Sequence, residues 1–260
     1  MQRDIFKAWL GEPFREAKHN WGEELRYYID GSRIDKFHTP LHATIREHHN
    51  PLKYKDELKD CGFPKTAHTL EKRYSMLPTH HETRMGNFAE VIGTEYGKHI
   101  LGYKTTLVLP KHLNPNPEQS MKGVDILGIQ DDLHPPLLLL GEAKCYKGFD
   151  VRAVRDSHKH IVSLWKQDIH KLVMFTKMLL RQEKNREEVG LDRLFFGGQA
   201  DCRTLIFVIN EDHPRNPFEV LDELCQELPL PRLLAIHLQI ENLVSAVNTA
   251  FENSENEYDD

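Results

Sequence analysis

The sequence predicts an α/β fold, a central mixed sheet with helices on both faces, and three observations predict it. From Arg84 onward, apolar residues recur with helical spacing in some stretches and strand spacing in others. The resulting order is α-β-β-β-α-β-α-β-α, which suits a mixed sheet covered on both sides. The composition supports a substantial core: 260 residues, 39% hydrophobic and 28% charged, excludes a disordered or collagen-like chain.

The first eighty residues are polar and broken by Pro13, Pro40, Pro51, Pro64 and Pro78. They read as short strands and helices joined by long loops. Arg84–Leu101 reads as a helix with Phe88, Ile92, Tyr96 and Ile100 on one stripe. Tyr103–Leu109 is rich in strand formers, and Pro110–Gln119 is a Pro/Asn loop. Gly123–Ile129 and Leu137–Tyr146 read as an antiparallel pair joined by the polar, proline-ended Gln130–Pro136. A long helix from about Asp156 to Arg181 carries Ile161, Leu164, Trp165, Ile169 and Leu172 inward. Strand Arg203–Ile209, helix Pro217–Leu228, strand Leu233–Leu238 and a helix ending near Phe251 complete the chain. The expected division is an N-terminal region over 1–82, a core over 83–251 and an acidic disordered tail over 252–260.

The net charge of −6 conceals an uneven distribution. The tail supplies −5 through Glu252, Glu255, Glu257, Asp259 and Asp260, whereas Lys144–Lys184 carries ten Lys/Arg against four acids. Such a basic segment in an acidic chain points to a polyanionic partner. Lys147, Arg152, Arg155 and Lys159 are its candidate contacts to nucleic-acid phosphates, with His158 and His160 beside them. No apolar run approaches the roughly 20 residues of a membrane span, and Met-Gln-Arg-Asp leads into no signal-peptide core. Cys61, Cys145, Cys202 and Cys225 form no CxxC pair, as expected in a reducing cytoplasm. The 16 histidines include His48-His49, His80-His81 and His158/His160, but none has zinc-site spacing, and adjacent loop histidines are expected to face solvent. His48-His49-Asn50 superficially suggests an HNH nuclease, but Pro51 follows at once. GxxxxGK[ST] does not occur, so no nucleotide cofactor is expected and any motor activity belongs to another protein.

The chemistry concentrates in Lys122-Gly123-Val124-Asp125 and Gly141-Glu142-Ala143-Lys144. On a strand, side chains alternate faces, so Glu142 and Lys144 point the same way. Asp125 lies seventeen positions earlier, on the preceding strand, and a suitable register brings its carboxylate to that of Glu142. Facing carboxylates are costly unless a cation separates them or one is protonated. Oxygen ligands of this kind suit Mg²⁺ or Mn²⁺, with the Ala143 carbonyl as a further donor. A neighbouring lysine can stabilise charge developing on phosphorus or serve the attacking water. Glu90 lies opposite the apolar stripe of its helix, on the face of Gly86, Gly93 and Gly97, where three glycines suggest a close approach.

The set Glu90, Asp125, Glu142 and Lys144 resembles the PD-(D/E)xK, or restriction-endonuclease-like, nuclease superfamily. There a helix glutamate precedes an Asp on one strand and (D/E)xK on the next. The resemblance implies an αβββαβ core over about residues 84–240 and Mg²⁺-dependent hydrolysis of phosphodiesters. It implies Asp125 and Glu142 as metal ligands, Lys144 serving the attacking water and Glu90 supporting the metal shell. The stretches RMGNFAEVIGTEYG, KGVDILGI and LLLLGEAKCY are also similar to the nuclease subunit of Hachiman-type anti-phage systems. That implies a helicase or ATPase partner, with DNA ahead of RNA as substrate. One departure stands: RecB-like members carry Gln-xxx-Tyr on the following helix, whereas Gln167 is followed by Lys171. Two alternatives remain open at this stage, a catalytically degenerate nuclease-fold binding subunit and an RNA-cutting toxin.

Overall fold

The computed structural model describes residues 1–49, 77–103, 105–107, 123–130, 137–148, 150–168, 201–211, 213 and 215–252. The expected Pro/Asn loop, the helix beyond residue 168, Lys171 and the tail beyond Glu252 lie outside the described residues.

Among the described residues, one seven-stranded mixed sheet organises the chain, in the order β1-β2-β7-β6-β5-β4-β3. Its strands are β1 (Arg15–His19), β2 (Gly22–Ile29), β3 (Thr105–Leu107), β4 (Ile126–Gln130), β5 (Leu137–Tyr146), β6 (Asp201–Asn210) and β7 (Leu233–Ile240). Strands β2, β7, β6 and β5 run parallel to their neighbours in that group. The pairs β1–β2, β4–β5 and β3–β4 are antiparallel.

Helices α1 (Arg3–Leu10), α2 (Gly31–His49), α3 (His81–His99) and α6 (Leu243–Glu252) cover one face, and α4 (Val151–Ser163) and α5 (Leu221–Glu227) the other. The central strands therefore read as unbroken apolar runs, because both faces are dry. β7 shows this: Leu234, Ile236, Leu238 and Ile240 join the core under α3, while Leu233 and Ala235 join the core under α4 and α5. From residue 81 onward, the described elements follow the order expected from the sequence. No helix among the described residues is long and apolar enough to cross a membrane.

The N-terminal third departs from expectation. Residues 3–49 form two helices and two strands with short connections, in place of long loops. Helix α2 contains Pro40, a residue read as a break, and the Thr44 hydroxyl donates to the Pro40 carbonyl at 2.8 Å. Asp30 opens this helix by accepting the Arg33 N–H at 2.9 Å. His48 and His49, expected in a loop, instead end α2. His49 is buried and His48 meets the buried Glu95 at 3.1 Å.

Strand β2 is hidden in sequence because its inward positions include Glu24 and Arg26, both buried. They are tolerable there because Arg26 Nε donates to Glu24 Oε1 at 2.6 Å, and Asn216 Nδ2 donates to the other oxygen at 3.2 Å. The sheet thus continues through residues 15–29, beyond the boundary expected at 82.

The long helix expected from Asp156 starts earlier, at Val151. Asp150 caps it by accepting the Arg152 N–H at 2.9 Å. Its last described residues, Leu164–Asp168, form a π-helical turn.

Gly22 shows how closely the N-terminal hairpin is fitted. Its φ is +149°, and a Cβ there would collide with the Leu233 carbonyl oxygen on the parallel neighbour β7. Gly22→Ala is expected to destabilise the whole protein by at least about 2 kcal/mol, as overpacking against backbone does. Urea unfolding should show this as one cooperative transition at lower midpoint. An unchanged midpoint would mean β2 is not an integral strand.

Candidate active site

The site begins with a register. β4 and β5 pair Ile126 with Gly141, and one further step places Asp125, just before β4, opposite Glu142. Directly opposed residues in an antiparallel pair share a face. Lys144 follows two positions along β5 on that same face.

The contacts agree. Lys144 Nζ lies 2.9 Å from Glu142 Oε2 and 3.3 Å from Asp125 Oδ2, so one ammonium bridges both carboxylates. The Ala143 N–H donates to Asp125 Oδ2 at 3.0 Å. A strand residue sends its N–H and carbonyl to the same edge, so the Ala143 carbonyl also faces this side.

Glu90 arrives from the other layer. Helix α3 packs on the opposite face of the sheet, yet Glu90 is buried and lines the same open cleft of about 450 Å³ as Asp125, Glu142 and Lys144. The glycines of its face serve two ends. A Cβ on Gly93 would collide with Ile126 on β4, so that glycine lets helix and sheet approach, whereas Gly86 opens onto the cleft.

The structure therefore brings Glu90, Asp125, Glu142, Ala143 and Lys144 together. It does not bring the four basic candidates into the cleft. Lys147 and Lys159 are exposed, Arg152 pairs with Asp150 at 3.2 Å, and Arg155 pairs with Glu223 at 3.3 Å.

His160 is the residue the sequence placed elsewhere, among phosphate contacts. Its Nδ1 lies 2.6 Å from Glu142 Oε1, and the ring lines the cleft. The approach is oblique, and that buried oxygen has no aligned hydrogen bond. A signal existed in the helix pattern. Ala153 and Ser157 are buried, and His160 continues their stripe at spacings of four and three.

Electrostatics divides the two carboxylates. Burial raises Asp125, the charges of Glu142 and Glu90 add to this, and Lys144 only partly offsets them, leaving a pKa of about 7. Burial also opposes ionisation of Glu142, but His160 and Lys144 outweigh it and hold its pKa below the ordinary value. The pair titrates as a unit, with the first negative charge resting on Glu142. Burial disfavours the Lys144 ammonium, yet Asp125 and Glu142 together raise its pKa and keep it protonated. His160 is raised as well, chiefly through Glu142.

Among the described residues, no three His, Cys, Asp or Glu side chains form a ready-made metal cage. Mg²⁺ does not require one, since it binds through one or two carboxylates, waters and substrate phosphates. The donor chemistry fits such a hard cation. Asp125 Oδ2 and Glu142 Oε2 already share one positive group, and Glu142 Oε1 is buried without an aligned donor. Asp125, Glu142 and the Ala143 carbonyl are the groups able to hold it.

A family model described as HamA matches residues 3–252, nearly the whole chain. The chain belongs to the HamA family. A curated relative, the Hachiman protein HamA of Bacillus cereus, is 33% identical over 168 residues. The match covers 60% of this chain and 56% of that relative, little more than half its length.

Asp125 yields a pH prediction for this HamA-family chain. Its carboxyl titrates near 3.8 when unfolded and near 7 when folded, so the folded state retains a proton across that window. Its contribution to stability is full below the unfolded value and lost as pH rises through the folded one. In metal-free buffer, wild type should lose more thermal stability than Asp125→Asn between about pH 5 and pH 8, by at least roughly 3 °C in Tm. Parallel Tm profiles would show that Asp125 carries no such shift.

Proposed function

We propose that this HamA-family chain is a metal-dependent nuclease hydrolysing phosphodiester bonds of DNA, and that it serves in Hachiman anti-phage defence beside a helicase or ATPase partner. The observation that carries the reading is the opposition of Asp125 and Glu142 at a strand end, with the Lys144 ammonium touching both. The same triad gives the resemblance to the restriction-endonuclease-like core its specific content. The helicase half of the proposal rests on the Hachiman relationship and on the absence of a phosphate-binding GxxxxGK[ST] motif from this sequence.

Each residue has a physical task. Asp125 and Glu142 are the cation ligands, and the open cleft beside them admits a phosphodiester. When bound, Mg²⁺ or Mn²⁺ supplies Lewis-acid polarisation of the phosphate and a more acidic water. Lys144 sits against both carboxylates, which places it to donate to phosphate oxygens and to charge developing in the transition state. Glu90 lines the far wall of the cleft, where it would help to order water around a bound cation.

The test is cleavage of linear and circular DNA, and of RNA, by the purified chain with Mg²⁺ or Mn²⁺, alone and with its genomic neighbours. Asp125→Asn, Glu142→Gln and Lys144→Ala are each expected to lower cleavage at least about a hundredfold. Circular dichroism and Tm should confirm that each variant remains folded. Cleavage that survives all three substitutions overturns the site. Silence of the wild type under every condition favours a binding subunit on a nuclease-like fold, and cleavage of RNA alone favours an RNA-cutting toxin.

A further inference from the structure

A carboxylate held by one oxygen still rotates about its terminal bond, and a ligand that rotates binds a cation weakly. Glu142 is contacted at both oxygens, from two different elements, by a hydrogen bond at Oε2 and an ion-pair contact at Oε1. Oε2 meets Lys144, two residues along the same strand, at 2.9 Å, and that ammonium reaches Asp125 at 3.3 Å. Oε1 meets His160 Nδ1 at 2.6 Å, from helix α4. The helix itself is anchored independently of the site. Val154 and Ile161 sit in the core with Ile206 and Val208, and His158 Nε2 meets the Leu228 carbonyl oxygen at 2.9 Å. The ring of His160 is therefore presented from a fixed base, with 41% of its side chain exposed to the cleft.

We propose that His160 is a positioning residue, which holds the far oxygen of Glu142 so that the near oxygen stays turned towards Asp125. The inference rests on the nuclease reading, because orientation of Glu142 matters only when it serves a cation. His160 acts through Glu142 and needs no contact with the substrate. Partners of this kind typically set metal affinity within a tenfold to hundredfold range.

The test uses the full chain without nucleic acid and measures Mn²⁺ binding by calorimetry and by electron paramagnetic resonance. The proteins are wild type, His160→Ala, His160→Asn, His160→Gln and Glu142→Gln. Asparagine places an amide nitrogen near the position of Nδ1, whereas the longer glutamine places it near Nε2. His160→Ala is expected to weaken Mn²⁺ binding roughly 10- to 100-fold. His160→Asn should recover most of that loss, and His160→Gln should recover little. Circular dichroism should show the His160 variants folded alike, and the contrast between His160→Asn and His160→Gln in Mn²⁺ binding is one that a merely structural role would not give.

Should His160→Ala fail to fold, the contrast between His160→Asn and His160→Gln decides. Equal Mn²⁺ binding by those two, or unaltered binding by a folded His160→Ala, overturns the proposal while leaving the nuclease reading intact. Wild type that takes up no Mn²⁺, or Glu142→Gln that binds it as well as wild type, overturns both.

Discussion

Two carboxylates forced together across an antiparallel pair are the constraint on which the site depends. Like charges at such range repel by several kcal/mol at the effective dielectric of a protein, of order 4 kcal/mol at 4 Å. The chain meets this repulsion with an ammonium between Asp125 and Glu142, a backbone N–H on Asp125 and an imidazole on Glu142. It also raises the pKa of Asp125. All of this hangs on the β4–β5 register. A slip of one residue would send Asp125 to the face of Ile126, among the buried apolar side chains under α3.

The two-layer covering of the sheet turns that pair into a cleft. Helix α3 delivers Glu90 from one layer, helix α4 delivers His160 from the other, and the strand end lies between them. Each helix is fixed by apolar packing immediately beside the chemistry. Gly93 lets α3 sit close on Ile126, and α4 is seated on Ile206 and Val208. The polar groups thus converge without having to hold the layers together, which frees their interactions for a ligand.

Much of this was legible in the sequence, for reasons of period. Strand alternation alone puts Glu142 and Lys144 on one face, and a short connection between two apolar runs limits the registers available to Asp125. The order of elements after residue 81 follows from the same alternation of spacings. What escaped did so where tertiary pairing overrides local signals. β2 conceals itself behind Glu24 and Arg26, which look exposed in sequence and are buried because they satisfy each other. α2 is masked by Pro40, whose missing hydrogen bond is tolerated within a helix held by its packed face. His160 was grouped with neighbouring phosphate contacts, because only the fold reveals that its helix turns that side chain back over β5.

The parallel pairing of β2 with β7 has a bearing on how the chain emerges during synthesis. β2 ends at Ile29 and its neighbour β7 begins at Leu233, with the strands and helices that build the cleft lying between them. At ordinary translation speed, β2 waits roughly 10 to 40 seconds for that neighbour, with one side of its backbone unzipped. Assembly of the sheet is then completed only after β7 has been synthesised. A nascent chain stalled before β7 would carry Glu90, Asp125, Glu142 and Lys144 without the scaffold strand that joins its first third to the rest. Synthesis of β7 is thus the step after which this cluster of acids and lysine can be held in its finished frame.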